Sequence, residues 1–103
     1  MRHVEFVVIL DEGVRKRHVH TIEKGIVQSF AVQLELYYNE NWLPVIRYDN
    51  AHGKAHIDKY FSDGKKEKTF LDLDYNTALT LADWDINTNW EKLIKDYWRD
   101  KIR

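Results

Sequence analysis

Alternation of apolar and polar residues is clearest between Val27 and Tyr38. From residue 30 onward every second position is apolar, and this set consists of Phe30, Val32, Leu34, Leu36 and Tyr38. A period of two over this length predicts a β-strand with one buried face, which is typical of an antiparallel sheet. Residues 39–41 then predict a short turn into another strand at 42–49. Pro44 in that strand cannot donate a backbone hydrogen bond, which indicates a sheet edge, an outward-facing position or a bulge.

Further strands are predicted on both sides of this pair, separated by short turns rich in glycine. Their approximate ranges are 4–10, 17–22, 54–61 and 67–73. Because short turns join consecutive strands, the pattern predicts a meander of five or six antiparallel strands. In the strand at 42–49, the side predicted to face the core carries Trp42, Ile46 and Tyr48.

The period becomes helical after residue 75. Asn76 or Thr77 is a candidate cap for a short helix whose apolar residues are Ala78, Leu79, Ala82 and Ile86. A second helix is predicted to begin at 88-TNWE-91, a capping-box pattern in which each end residue bonds to the backbone of the other. Its apolar stripe is Trp90, Leu93, Ile94, Tyr97, Trp98 and Ile102, and its last turn is basic with Arg99, Lys101 and Arg103.

Together these elements predict an α+β fold. A five- to six-stranded antiparallel β-meander over residues 1–74 would be covered on one face by C-terminal helices over residues 75–103. The chain has 103 residues, a common size for one domain, and 44% of them are hydrophobic, which is enough to form a core. We therefore expect one domain with one face of the sheet buried under helices.

Composition narrows the functional classes. The sequence contains no cysteine, which excludes disulfides, metal–thiolate sites and thiol nucleophiles. The apolar run at 4–10 is too short for a signal peptide or a membrane span, so a cytoplasmic location without membrane contact is expected. The net charge of −1 provides no general attraction to nucleic acid. Three adjacent basic residues are nevertheless candidates for binding an anionic substrate: Arg15, Lys16 and Arg17.

The stretch 47-RYDNAHGKAHID-58 carries the densest polar chemistry of the chain. A two-residue turn at 51–52 would pair Arg47 with His56 and Asp49 with Lys54 across the two strands. Strand alternation directs four of the side chains away from the core, namely Arg47, Asp49, His56 and Asp58.

The next hairpin is expected to add another carboxylate to this group. Matching apolar residues pairs Ile57 with Leu71, which places His56 opposite Asp72. A carboxylate beside an imidazole fixes the tautomer of the ring and suits acid–base chemistry near neutral pH.

Several chemistries can use these residues. Metal-free cleavage of RNA needs a base, an acid and a cation, which His56, His52 and Arg47 would supply. Asp49 would complete the catalytic set, and the candidate substrate contacts are Lys54, Asp58, Asp72 and the three basic residues at 15–17. A metal site would instead draw on His52, His56, Asp58 and Asp49, or on the pair His18 and His20. The favoured hypothesis needs no metal or other cofactor, and the structural alternative is that these are ordinary turn formers and solvated side chains.

The segment 46-IRYDNAHGKAH-56 resembles the central signature of a family of small uncharacterised prokaryotic proteins, and more loosely that of TumE-type toxins of toxin–antitoxin loci. This resemblance implies a ribonuclease-like toxin that acts on cellular RNA and is neutralised by a helix-turn-helix antitoxin. The residues that it carries over are Arg47, Asp49, His52 and His56. The functional hypothesis is therefore an RNA-directed endoribonuclease of toxin type. The alternative is a non-enzymatic module whose exposed sheet face or edge docks another protein.

Overall fold

A computed structural model describes residues 1–99, and within them the chain forms six strands followed by one long helix. The strands are β1 Arg2–Asp11, β2 Val14–Glu23, β3 Ile26–Tyr38, β4 Asn41–Asp49, β5 His56–Tyr60 and β6 Lys66–Phe70. A 3₁₀ turn at Ala51–Gly53 lies between β4 and β5, and helix α1 spans Tyr75–Tyr97. The residues Lys101, Ile102 and Arg103, which were assigned to the end of the second predicted helix, lie outside the described residues.

The spatial order of the strands is the same as their order in the sequence. Neighbours pair in the order β1-β2-β3-β4-β5-β6, and every pair is antiparallel. The sheet is therefore an open meander with β1 and β6 at its two edges, and the predicted α+β fold is confirmed. Across residues 1–99, no helix combines the length and the apolar composition that crossing a bilayer requires.

The core lies between the sheet and α1, which packs mainly on β3 and β4. The strands contribute Val32 and Leu34, which are fully buried. Small side chains at two positions of the helix allow its backbone to approach the sheet closely. The buried residues of the helix form one stripe, made of Ala78, Ala82, Ile86, Leu93 and Tyr97.

The predicted division of the C-terminal segment into two helices is wrong, because α1 is continuous through residue 88. Its buried stripe continues without a break, and neither glycine nor proline occurs within it. Thr88 and Glu91 therefore lie inside the helix, where a capping box has no free backbone groups to bond. The actual N-cap is Asp74, whose carboxylate accepts from the Thr77 backbone N–H at 2.8 Å.

A bulge in β4 changes which side chains face the core. The pairing of β3 with β4 shifts between Leu34 and Glu35, which lie opposite Ile46 and Pro44 respectively. The extra residue, Val45, is buried. Because a bulge reverses the alternation beyond it, Trp42 faces the side of the sheet away from the helix, and its predicted core position is wrong. Of the three alternatives that Pro44 indicated, the bulge is observed, and the pairing of Pro44 with Glu35 also places it on the side of the sheet away from the helix.

Both predicted hairpin registers around β5 are wrong by two residues. Arg47 lies opposite Asp58, and Asp49 lies opposite His56, because the connection is a 3₁₀ turn and not a two-residue turn. His56 in turn lies opposite Phe70. Asp72 follows the end of β6 and is exposed, so its predicted contact with His56 is wrong.

Candidate functional site: a buried polar cluster on the open face

The sheet has two distinct faces. The covered face lies under α1, and Tyr48 marks it because its hydroxyl donates to Asp85 of that helix. The open face is the opposite side. Cross-strand pairing places one row of side chains on the open face, namely Arg17, Gln33, Arg47, Asp58 and Lys68. The neighbouring row on the same face consists of Glu5, Val19, Ala31, Asp49, His56 and Phe70.

Four polar side chains from β4 and β5 form what we call the open-face cluster: Arg47, Asp49, His56 and Asp58. The placement on the side away from the helix is the one that alternation predicted. The exposed fractions of three of them are nevertheless small, at 5% for Asp49, 3% for His56 and 6% for Asp58. Only Arg47 reaches the surface, with 39% of its side chain exposed.

Asp49 is held from several directions. Its Oδ2 accepts from Arg47 Nε at 2.6 Å, and its Oδ1 accepts from the Ala51 backbone N–H at 2.9 Å. Burial alone would raise the pKa of Asp49, but these two hydrogen bonds and the nearby charge of His56 outweigh burial and lower it below its ordinary value. The carboxylate is therefore ionised and fixed in orientation.

His56 is fixed through both ring nitrogens. Its Nδ1 lies 2.9 Å from the Lys54 carbonyl oxygen, and its Nε2 lies 3.0 Å from Asp49 Oδ1. A carbonyl oxygen can only accept, so Nδ1 carries a hydrogen and donates to it. The ring is also packed edge-on against Phe70, with ring centroids 6.0 Å apart. His56 is therefore a buried organiser of the cluster and not a free base at the surface.

Asp58 is the least satisfied member of the cluster. Its Oδ2 lies 3.7 Å from His56 Nε2, and its Oδ1 lies 4.0 Å from Lys68 Nζ. Both distances are too long for hydrogen bonds. Within residues 1–99, Oδ1 is buried and has no hydrogen-bond partner. A buried carboxylate oxygen in this state is unusual in a folded protein.

The cluster continues into a polar network that crosses the open face. Arg47 Nη1 donates to Gln33 Oε1 at 3.3 Å, and Gln33 Nε2 donates to Glu35 Oε2 at 2.6 Å. Glu35 in turn accepts from Arg15 Nε at 2.6 Å, and the Arg15 guanidinium lies 3.8 Å from the centroid of the Trp42 ring. Gln33 and Glu35 were not predicted as site residues. The signal was present, because they occupy the polar positions of the strand with the clearest alternation.

The three basic residues at 15–17 do not act as one group. Arg15 and Arg17 project from the open face, whereas Lys16 projects from the covered face and is buried. Its Nζ lies 2.9 Å from Asn87 Oδ1 and 3.0 Å from Asp83 Oδ1, both on α1. The structure therefore places Lys16 in the core, away from any substrate that would bind the open face.

The other predicted site residues lie at or beyond the margin of the cluster. His52 and Lys54 are exposed near the turn at Ala51–Gly53, and Lys54 Nζ lies 5.3 Å from the centroid of the Phe70 ring. The histidine pair lies on the covered face, where His18 Nε2 is 2.6 Å from His20 Nδ1. Burial and the adjacent His18 lower the pKa of His20.

A depression borders the cluster on the open face. Small side chains form its floor, since Val19 and Ala31 lie between Glu5 and Asp49 in one cross-strand row. Two adjoining cavities open here, and both are lined by Val19, Ala31 and Arg47. One cavity extends to Arg17 and the other to Asp49. The depression therefore connects two arginines with the edge of the buried cluster.

Comparison with known protein families places the chain in one of them. The model of the family described as Domain of unknown function (DUF7718) matches residues 1–102, so the chain belongs to that family. No curated protein and no solved structure matches the chain. Because the family description assigns no activity, the chemistry of the open face is the basis for a functional proposal.

Proposed function

We propose that this member of the family is an RNA-directed, toxin-type protein that binds the RNA backbone along its open face and cleaves it at the open-face cluster. The observation that carries the proposal is the depression between Arg17 and Arg47, which leads to Asp49, the carboxylate that lies 3.0 Å from His56. Arginine is suited to this position because its planar fork of donors matches the oxygens of a phosphate.

Arg47 has the central part in this proposal. Its Nε is engaged by Asp49, while its partly exposed guanidinium also lines both cavities. The bond to Asp49 fixes the side chain before a phosphate arrives, so little conformational entropy is lost on binding. A guanidinium held in this way would stabilise the charge that develops on a phosphate during cleavage.

The distribution of charge also favours an anionic ligand on this side. The cations of the open face and of its adjoining turn are Arg15, Arg17, Arg47, Lys54, Lys66 and Lys68. By contrast, residues 71–85, which lead into α1 and form its first half, contain four aspartates and no lysine or arginine. Four carboxylates of the open face, Glu5, Glu35, Asp49 and Asp58, offset part of this charge, but the open face still favours a polyanion more than the first half of α1 does.

The geometry changes the catalytic roles that the sequence predicted for His56 and His52. Both ring nitrogens of His56 are engaged, so the proposal assigns this residue the positioning of Asp49. His52 is exposed at the turn that follows β4, and the proposal assigns it the proton transfer to or from the bound strand. In this proposal the protein acts in the cytoplasm and is neutralised there by a cognate antitoxin.

The test compares binding and cleavage of a labelled single-stranded RNA. Arg17→Ala and Arg47→Ala should each weaken binding roughly tenfold and lower the salt dependence by about one phosphate contact. Asp49→Asn should lose cleavage while it weakens binding less than Arg47→Ala does, because the guanidinium remains, and reactions with and without EDTA show whether cleavage needs a metal. The matched control is Lys92→Ala, which removes an exposed cation from α1 and should change neither property. Equal binding by wild type and Arg47→Ala would refute the proposal.

A second candidate is a non-enzymatic module that binds another protein, and the edge of the sheet favours it. Within the described residues β1 pairs with β2 alone, and its Val7 and Ile9 are exposed. An apolar, unpaired strand edge is a surface onto which a partner can add a strand. If the protein forms a complex with its cognate antitoxin that Ile9→Lys abolishes and Lys92→Ala does not, this edge is the docking surface.

A further inference from the structure

We propose that Asp49, His56 and Asp58 form a binding site for a first-row divalent cation such as Mn²⁺. One potential ligand atom of each residue lies within 4.8 Å of the other two. The residues supply two carboxylates and one imidazole, a donor set that suits manganese, iron or zinc. The site goes beyond the proposed function and does not depend on RNA being the substrate. The favoured sequence-based hypothesis needed no metal, whereas the alternative metal site drew on His52, His56, Asp58 and Asp49.

The spacing of the donor atoms fits one shared cation. His56 Nε2 lies 3.0 Å from Asp49 Oδ1 and 3.7 Å from Asp58 Oδ2. With metal–ligand distances of about 2.0–2.2 Å, neighbouring ligands of a tetrahedral or octahedral ion lie roughly 2.8–3.6 Å apart. The distance from His56 to Asp49 lies in this range, and the distance from His56 to Asp58 lies just above it.

The orientation of His56 is that of a metal ligand. Its Nδ1–H donates to the Lys54 carbonyl oxygen at 2.9 Å, which directs Nε2 toward the two carboxylates. Histidines that bind metals commonly donate their second ring N–H to a backbone carbonyl or a carboxylate, which fixes the tautomer and the ring plane. A bound cation would lie between Nε2 and the two carboxylates.

The unsatisfied oxygen of Asp58 is the independent observation that points to a ligand. The residue is 6% exposed, and its Oδ1 has no hydrogen-bond partner among the atoms of residues 1–99. Burying a carboxylate oxygen without a partner costs free energy, which a complete ion-pair network would have avoided. The oxygen that lies 3.7 Å from His56 Nε2 is Oδ2, so a cation bound by both carboxylate oxygens of Asp58 would supply the partner that Oδ1 lacks.

The neighbouring cations leave room for a metal ion. Arg47 donates to Oδ2 of Asp49, so it holds that carboxylate while Oδ1 remains directed at His56. Lys68 contacts Asp58 only at 4.0 Å, and 41% of its side chain is exposed. Because this contact is long and solvated, the ammonium can turn away from the site at little cost.

The first test is a titration of the metal-free protein with Mn²⁺, followed by the loss of the free-ion signal in electron paramagnetic resonance. Wild type should bind one ion, and Asp58→Asn should weaken binding at least tenfold. Replacing even a residue that only hydrogen-bonds to a metal ligand commonly lowers metal affinity by about that factor. The matched control is Asp83→Asn, because Asp83 also lies beside a histidine, at 3.2 Å from His18 Nδ1. This control should bind Mn²⁺ as wild type does.

A second measurement needs no variant and locates the ion directly. Bound Mn²⁺ broadens the resonances of nearby nuclei, so amide spectra of the full chain should lose intensity around residues 49, 56 and 58. Broadening centred on His3, His52 or the pair His18 and His20 would overturn the assignment. Unchanged Mn²⁺ binding by Asp58→Asn would also overturn it. Neither experiment contains RNA, so its outcome is separate from that of the proposed function.

Discussion

Both faces of the sheet bury polar side chains, but they satisfy them differently. On the covered face, Lys16 and His18 find partners on α1, where Asp83 lies 3.0 Å from the first and 3.2 Å from the second. On the open face, Asp49 Oδ1 lies 3.0 Å from His56 Nε2, and both residues bond to nearby backbone. Asp58 is left with an oxygen that has no hydrogen bond within the described chain. The covered face therefore satisfies these polar side chains with partners from the helix, whereas the open face leaves the Asp58 oxygen that the proposed cation would bind.

Tyr48 and Asp49 show the contrast at adjacent positions of β4. Tyr48 faces the helix, and burial together with its hydrogen bond to Asp85 raises the pKa of its hydroxyl well above the ordinary value. It therefore remains a neutral donor whose role is structural. Asp49 faces the other way, remains ionised and borders a depression lined by Arg47. The same strand thus contributes one residue to the core and the next to the candidate site.

The largest expected difference between the faces lies in their contribution to stability. Leu34→Ala should lower the free energy of unfolding by about 2–5 kcal/mol, because the side chain is fully buried against α1. Val7→Ala, at an exposed position of β1 on the open face, should change it by less than about 0.5 kcal/mol. Urea denaturation of the two variants measures both values. Similar losses would contradict the assignment of the core to the covered face.

A smaller effect is expected when the ion pairs of the covered face are weakened. Asp83→Asn should lower the free energy of unfolding by about 1–3 kcal/mol, because it removes the charge that stabilises the buried Lys16 ammonium. Thermal unfolding at neutral pH measures the change. A midpoint equal to that of wild type would mean that Asn87 alone satisfies Lys16.

The pH dependence of stability should also include a contribution from the covered face. Burial alone would raise the pKa of Asp96, but hydrogen bonds from Lys59 and Lys92 outweigh it and lower the pKa below the ordinary value. A lowered pKa stabilises the fold above the unfolded value of about 3.9, and this contribution is lost as the pH falls through the folded value. Asp96→Asn should therefore reduce, by on the order of 1 kcal/mol, the amount of unfolding free energy that is lost when the pH falls from neutral to acid. Urea denaturation at a series of pH values measures this change, and an equal loss of stability in acid for wild type and variant would contradict this role of Asp96.

The fold class could be predicted from the sequence because alternation is strong in β3 and the turns are short. The faces of Arg47, Asp49, His56 and Asp58 were also predictable, although both hairpin registers were wrong. Each error was two residues, and because side chains alternate with a period of two, an even shift leaves every side chain on its face. An odd shift would have moved the whole cluster into the core.

The errors have local physical causes. The bulge at Val45 reversed the side of Trp42, and Pro44 was its only signal in the sequence. The capping pattern at Thr88 was misleading because it lies within an unbroken apolar stripe, and a cap is formed only where the preceding backbone is not helical. The two-residue alternation of side chains did not predict that the open-face cluster is buried. Its burial depends on side chains such as Phe70 and Lys54, which lie beside it only in the folded chain.

The most direct test of the difference between the faces is the stability of metal-free Asp58→Asn, measured beside Asp83→Asn. Both substitutions replace one carboxylate oxygen by a nitrogen of nearly the same size. If Asp58 serves to bind a ligand, its replacement should leave the unfolding midpoint unchanged or raise it, because the buried oxygen that is affected makes no hydrogen bond in the fold. A loss of stability as large as that of Asp83→Asn would show that Asp58 is a structural ion-pair partner and would contradict the account.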